Sequence, residues 1–407
     1  MMRKAAKGKR ARSRTRPHPA KRVVRAPVTR VRGAASRPSL PHSYAPMEAT
    51  PVATLPSEGD WQYEPKWDGF RCLVFRGAGR PDLRSKAGRQ LGRYFPDITD
   101  AVRAISAGSA VFDSELVIPT PDGLSFDDLL QRIHPAASRV MKLAAEHPAV
   151  CIVFDLLADA RGKSLVHLPL RERRARLEQL ANTAFGPMLE TPGGVRGAAV
   201  VLSPATCDRK EAARWLKRGS SGWGGLDGVI AKALGLPYQS GNRKGMQKVK
   251  HLRTADCVVG GFRYASKGGS AGSLLLGLYD ADGLLHHVGF TSAMTASVRA
   301  QVTPRLVRLI KPPGFTGRAP GGPSRWSTRR TDQWEPLAPK LVVEVQYDHF
   351  SDGRFRHGTS IVRWRPDKAP RQCTLDQIEL TGRSAMALLD GSNVSDGRAI
   401  NRRGHGR

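Results

Sequence analysis

The chain is predicted to fold as an α+β domain followed by a small antiparallel β-barrel, with a disordered basic arm ahead of both. Three observations predict it. Up to about residue 250, apolar runs of strand length alternate with helical patterns. After about 253, strands separated by Gly/Asp turns take over, with a single helical insert. Residues 1–41 hold 14 Lys/Arg and no acid, in a background of Pro, Ala and Ser, a composition that cannot bury a core.

Taken in order, "RCLVFR", "AVFDSELVIP", "AVCIVFDLLA" and "LDGVIAKA" are expected strands, buried on one or both faces. "LPLRERRARLEQLAN" and "DRKEAARWLKRG" are expected surface helices, apolar at helical spacing and basic on the outer face. In the second part, "ADCVVGGFRYA", "GSLLLGLYDADG", "LLHHVGFTS" and "KLVVEVQYDHF" are strands and "TASVRAQVTPRLVRLI" is the helix. That set fits an OB-type barrel, a common nucleic-acid binder. The segment 311–340 is a long basic Gly/Pro-rich loop, of the kind that is functional or a linker. The expected divisions are an arm at 1–45, the α+β domain at 46–252, the barrel at 253–380 and a basic tail at 381–407.

The 407 residues, 40% of them hydrophobic, suffice for two cores. The formal net charge is +31; removing +14 for residues 1–41 and +3 for 381–407 leaves +14 on residues 42–380. The folded part is itself basic, which calls for a polyanionic partner. Five scattered cysteines without a C-x-x-C pair argue against a disulfide framework or a zinc site and for a reducing compartment. No apolar run reaches the length of a membrane span.

The stretch "EPKWDGFR", Glu64–Arg71, holds Lys66 just ahead of an Asp-Gly turn. An unperturbed lysine, with a pKa of ~10.4, is neutral about once in 2,500 at pH 7, and making half of them neutral takes roughly 4.6 kcal/mol. Burial and neighbouring cations can supply that and turn the amine into a nucleophile. Further along stand "VFDSELV", "IVFDLL", "LDGVIAK", "MQKVKH" and "RWRPDKAP". Several of these put a charge within an apolar strand, where it needs a partner. Together they suggest carboxylates that hold a cation and lysines that meet phosphate.

In this order the motifs resemble those of the covalent nucleotidyltransferases, an ATP-grasp-like ligase fold joined to an OB domain, and most closely the short bacterial ATP-dependent DNA ligases of the ligase C type. The likeness runs from "PMEA" at 46 to "RPDKAPRQCTLDQI" ending at 378. It implies that Lys66 attacks the α-phosphate of ATP and carries AMP, that Glu64 holds the adenine amine, and that Arg71 reaches the ribose side. It implies Glu115 at the ribose or a metal, Asp227 on Mg²⁺ or Mn²⁺, and Phe154 stacked on adenine. Lys232, Lys248 and Lys250 would face phosphate, with Lys86 and Arg243 as further basic contacts. Arg365, Asp367 and Lys368 would close over the pyrophosphate end of ATP.

Ser114 departs from the family's usual glycine, Lys86 from arginine and Asp227 from glutamate. The residues also allow plainer roles: Phe154 as core, Lys248 as a solvated strand edge, Arg363 as a DNA contact. The activity the resemblance implies is nick sealing in duplex DNA, with a role in repair, by a cytoplasmic, nucleoid-associated monomer that meets a repair polymerase or end-binding protein and no membrane. An RNA ligase or capping enzyme, and an inactive DNA-binding protein, are the rival readings. The arm and the 311–340 loop are expected to help hold the duplex.

Overall fold

The computed structural model describes residues 39–121, 123–186, 199–220, 226–266, 269–321, 333–378 and 385–389. The basic arm up to 38, the middle of the long loop and most of the tail lie outside the described residues.

Two sheets form the region before residue 251. The first runs in the order β1 (Thr50–Pro51), β11 (Met246–Lys250), β10 (Leu226–Ala233), β2 (Trp61–Trp67), parallel only at its β1 edge. The second runs β4 (Asp82–Ser85), β3 (Phe70–Phe75), β5 (Val111–Val117), β8 (Val150–Ala158), β9 (Ala199–Leu202), with only its last pair parallel. A short ribbon, β6 (Pro119–Thr120) with β7 (Gly123–Leu124), leads out of β5. Every residue of β8 is buried, which accounts for its unbroken apolar run "VCIVF". Five helices cover these sheets: α1 (Pro96–Ala104), α2 (Phe126–Arg132), α3 (Ala137–Glu146), α4 (Leu170–Ala184) and α5 (Arg209–Ser220). The sequence reading names only the last two.

The C-terminal sheet runs β14 (Leu285–Thr291), β13 (Ala271–Tyr279), β12 (Arg253–Tyr264), β16 (Val342–Tyr347), β19 (Ser360–Trp364), antiparallel throughout, and β15 (Glu335–Pro336) adds to β12. Helix α6 (Ala296–Val307) starts at Thr295, whose hydroxyl accepts from Val298 N–H, and a hairpin of β17 (Phe350–Ser351) and β18 (Arg354–Phe355) follows β16. No closed barrel is shown by the described residues: β14 and β19 are the two edges of the sheet, linked only by an isolated bridge from Thr291 to Thr359, the residue before β19. The ends of the expected loop are also not free. Phe315 and Leu337 are buried in this core. Ala385, Met386 and Leu388, expected in the tail, pack instead into the core around Trp67, Val117 and Leu226.

Strand register positions the chemistry. Between β2 and β10 the pairing jumps from Leu226–Trp67 to Val229–Pro65, so Asp227 and Gly228 together oppose Lys66. This is a β-bulge, which breaks the alternation of sides and re-aims a side chain. Gly228 has φ +134°, and a Cβ there would run into the carbonyl oxygen of Val249. Gly69 is needed for a different reason, since its Cβ would strike the Leu116 carbonyl in the turn after Lys66. A Gly228→Ala substitution is therefore expected to cost roughly 2–4 kcal/mol, by strain and overpacking. Urea unfolding of the two proteins checks this, a difference below ~1 kcal/mol being incompatible with the bulge.

Candidate active site

Lys66 projects from β2 into a cleft of about 210 Å³ walled by both sheets of the first region and by the Pro46–Ala49 segment. Of the residues singled out in the sequence, Glu64, Arg71, Lys86, Glu115, Phe154, Lys232, Arg243 and Lys248 line this cleft with Lys66. The strand ladders explain the gathering: Ile230 pairs with both Glu64 and Lys248, and Arg71 pairs with Glu115.

The lysine amine is hydrogen-bonded to Asp227 Oδ2. Its pKa differs from the expectation. Burial alone pulls it down, but the Asp227 carboxylate, with Glu115 and Asp68 behind it, outweighs burial and holds it above the ordinary lysine value. The cation crowding foreseen for Lys66 acts on its neighbour instead. Lys248 is lowered, by burial first and then by Lys66, Lys250, Lys86 and Arg243. Lys66 therefore rests as an ammonium and must shed a proton before it can attack.

At the far end, Lys232 Nζ donates to both Glu64 oxygens at 2.9 and 2.8 Å, and Gln62 Nε2 donates to Glu64 at 2.7 Å. All three side chains are buried. Lys232 is thus committed to a carboxylate here, rather than being free for phosphate. The Phe154 ring carries Lys232 Nζ at 4.4 Å and the Arg71 guanidinium at 4.7 Å from its centroid, cation–π contacts that fix all three groups. At the cleft mouth Glu48 accepts from Lys86 and from Arg243, at 3.0 and 3.2 Å.

Two buried acids are not foreseen from the sequence. Asp113, completely buried, receives Arg71 Nε and Nη2 at 2.5 and 2.6 Å and the Tyr238 hydroxyl at 2.5 Å. Asp155 receives Arg173 Nε and Nη2, both at 2.9 Å. Both acids sit inside the quoted motifs, and an acid within an apolar strand is itself the signal of a buried partner.

The C-terminal sheet reaches the site by an unexpected face. His349 Nε2 lies 2.8 Å from Asp227 Oδ1, and its Nδ1 lies 3.5 Å from Asp68. Arg356 Nη1 donates to both Asp68 oxygens at 3.0 Å. Lys250, expected at phosphate, donates to Asp348 at 3.0 Å and does not line the cleft. A second cavity of about 510 Å³ opens where these groups meet. Arg365, Asp367 and Lys368 are not brought to the lysine cleft. Arg365 and Lys368 pair with Asp256, within their own sheet, and Arg365 also pairs with Asp367.

Glu115 and Asp227 are the carboxylates nearest Lys66 that could hold a divalent cation. Among the described residues no group of three His, Cys, Asp or Glu side chains is gathered as a ligand set. Two carboxylates nevertheless fit a Mg²⁺ that takes its remaining oxygens from substrate phosphates and water. Glu115 is pushed up to about 8, by burial first and against the pull of Arg71 and Lys66. The folded chain then retains a proton there that the unfolded chain releases near pH 4.5, so this carboxyl lowers stability as pH rises from about 4.5 to about 8. Glu115→Gln is expected to raise the urea midpoint above wild type at pH 8.5, and the gap should close by pH 5. An unchanged gap would exclude a Glu115 that is protonated in the folded chain.

Comparisons with known proteins identify the family. Residues 46–250 match the ATP dependent DNA ligase domain, and residues 267–368 match the ATP dependent DNA ligase C terminal region. The chain is 41% identical over 352 residues to DNA ligase C of Mycobacterium tuberculosis, and 42% identical over 345 residues to DNA ligase C1 of Mycolicibacterium smegmatis. Each alignment covers 82% of this chain and 93% of the relative. Among solved structures, the ligase domain of M. tuberculosis LigD is 26% identical, covering 82% of this chain and 98% of that one, with a TM-score of 0.42. With both of its parts matched and relatives alike over most of their length, the chain belongs to the ATP-dependent DNA ligase family.

Proposed function

We propose that the chain seals nicks in duplex DNA through a lysyl-AMP intermediate on Lys66, in the course of DNA repair. The observation that supports this most is the cleft in which Lys66, hydrogen-bonded to Asp227 behind it, stands with Glu115 beside a rim of cations. In the first step the Lys66 amine loses a proton, its lone pair forms a P–N bond to the α-phosphorus of ATP, and the bond to pyrophosphate breaks. In the second, the 5′-phosphate at the nick attacks the same phosphorus and the P–N bond breaks. The departing amine takes up a proton, and its pairing with Asp227 favours that ammonium. In the third, the 3′-hydroxyl attacks the 5′-phosphorus and AMP leaves.

Phosphoryl transfer of this kind rests on positioning and charge neutralisation. Glu64 is the acceptor for the adenine amine, and Arg71 with Phe154 forms the floor beside the base and ribose. Lys86, Arg243, Lys248 and, after release from Glu64, Lys232 are the cations for phosphate. Mg²⁺ or Mn²⁺, held by Glu115 and Asp227, would draw charge from the phosphate oxygens. Arg365, Asp367 and Lys368 act on pyrophosphate only if the C-terminal sheet, an OB-type module in this reading, turns its other face to the cleft and Asp256 gives up its two cations. The division at about 252 separates that module from the adenylyltransferase domain. The enzyme acts as a monomer on nucleoid DNA in the cytoplasm, with a repair polymerase or end-binding protein as further partner.

Radiolabelled ATP, but not GTP, is expected to label the protein on Lys66, and Lys66→Ala should remove the label. Arg365→Ala and Lys368→Ala should slow that labelling at least tenfold while sparing closure of a pre-adenylated nick. A labelled Lys66→Ala protein would overturn the reading. Binding to nicked duplex should weaken steeply with salt, since each phosphate neutralised adds about −0.9 to the logarithmic slope. Deleting residues 1–41 together with the 322–332 segment is expected to flatten that slope in gel-shift titrations; an unaltered slope would remove those segments from DNA binding.

A further inference from the structure

We infer that Tyr238 is a positioning residue for the nucleotide, its hydroxyl setting the width of the slot between the Pro46–Ala49 wall and Arg71. Tyr238 does not line the cleft. Its hydroxyl donates to Asp113 Oδ2 at 2.5 Å and accepts the backbone N–H of Met47 at 2.8 Å. Met47 and Arg71 both line the cleft, and Arg71 Nη2 also reaches the Met47 carbonyl at 3.3 Å. One buried phenol therefore ties one wall of the slot to the carboxylate that fixes the guanidinium of the other.

The surrounding contacts make this a braced device rather than a chance bond. The chain from 238 to 243 runs along the wall: Ser240 Oγ donates to the Ala45 carbonyl at 2.8 Å, Gly241 N–H to Pro46 at 3.3 Å, and the Glu48 N–H donates back to Asn242 at 2.8 Å. Behind the ring stands the Arg173 guanidinium, 5.6 Å from its centroid and itself gripped by Asp155. Asp113 has room for several donors and receives three. Removing the phenol O–H leaves the buried Met47 N–H without a partner and takes one of three donors from that carboxylate, while ring packing is retained. The wall and Arg71 would then be tied to each other only by the longer Arg71 Nη2–Met47 carbonyl contact of 3.3 Å, and the slot between them would loosen. Such a loss weakens nucleotide binding without touching the nucleophile.

The test is single-turnover formation of lysyl-AMP by the full-length protein over a range of ATP concentrations. Tyr238→Phe is expected to raise KM for ATP about five- to tenfold, part of the cost of the two lost buried hydrogen bonds, and to change the rate at saturating ATP less than twofold. Arg71→Lys should raise KM as well. If the phenol acts through Arg71 and its wall, the double variant should show the KM of Arg71→Lys alone. An unchanged KM in Tyr238→Phe would overturn the inference. So would effects that multiply in the double variant, or a fall in rate that only tracks loss of folded protein by circular dichroism. Because the inference rests on the ligase reading, absence of any adduct in wild type would overturn both, whereas an adduct with unchanged KM overturns this inference alone.

Discussion

The site depends on one irregularity in a β-ladder. Side chains along a strand alternate between faces, so an unbroken pairing of β10 with β2 would fix Asp227 by parity alone. The extra residue opposite Lys66 disrupts the alternation and brings the carboxylate to the amine. Gly228 pays for the bulge, with a backbone conformation and a closeness to Val249 that no side chain permits. From that one bulge follow the charge state of the nucleophile, the placing of one carboxylate able to hold a cation, and the anchoring of His349.

Around it the charges are sorted into tight pairs. Glu64 with Lys232, Asp113 with Arg71 and Asp155 with Arg173 are each buried or nearly so, and each is hydrogen-bonded on both sides. Such pairs add little net stability but are costly to break singly, and so hold geometry firmly. The cations at the mouth are different: Lys86 and Arg243 are well exposed and share one carboxylate, Glu48. Arg71 and Glu64 are thus prearranged, while Lys86 and Arg243 are loosely held.

Much of this could be read from the residues. The apolar strands before 250 stood out because β8 and its neighbours are buried on both faces, and the cleft residues because their motifs set charges within those strands. The three helices between 96 and 146 were missed: α2 has only seven residues, and α1 opens on a proline that reads equally as a turn. The bulge was not legible, since a slip of register leaves no trace in local periodicity, although the Asp-Gly pair at 227–228 was its one outward sign. Asp113 and Asp155 were passed over for the neighbouring Glu115 and Phe154, because a sequence shows that a buried acid needs a partner but not which distant arginine supplies it. His349 was beyond reach for the same reason, its partner lying 122 residues away in another sheet.

The contact made by His349 joins two parts of the molecule through a carboxylate that Lys66 also holds. Asp227 is gripped by Lys66 from its own sheet and by His349 from the C-terminal one, one oxygen each. The turn after β16 thus rests on the same carboxylate that holds the Lys66 ammonium, so a change of charge at that amine reaches the footing of the C-terminal part.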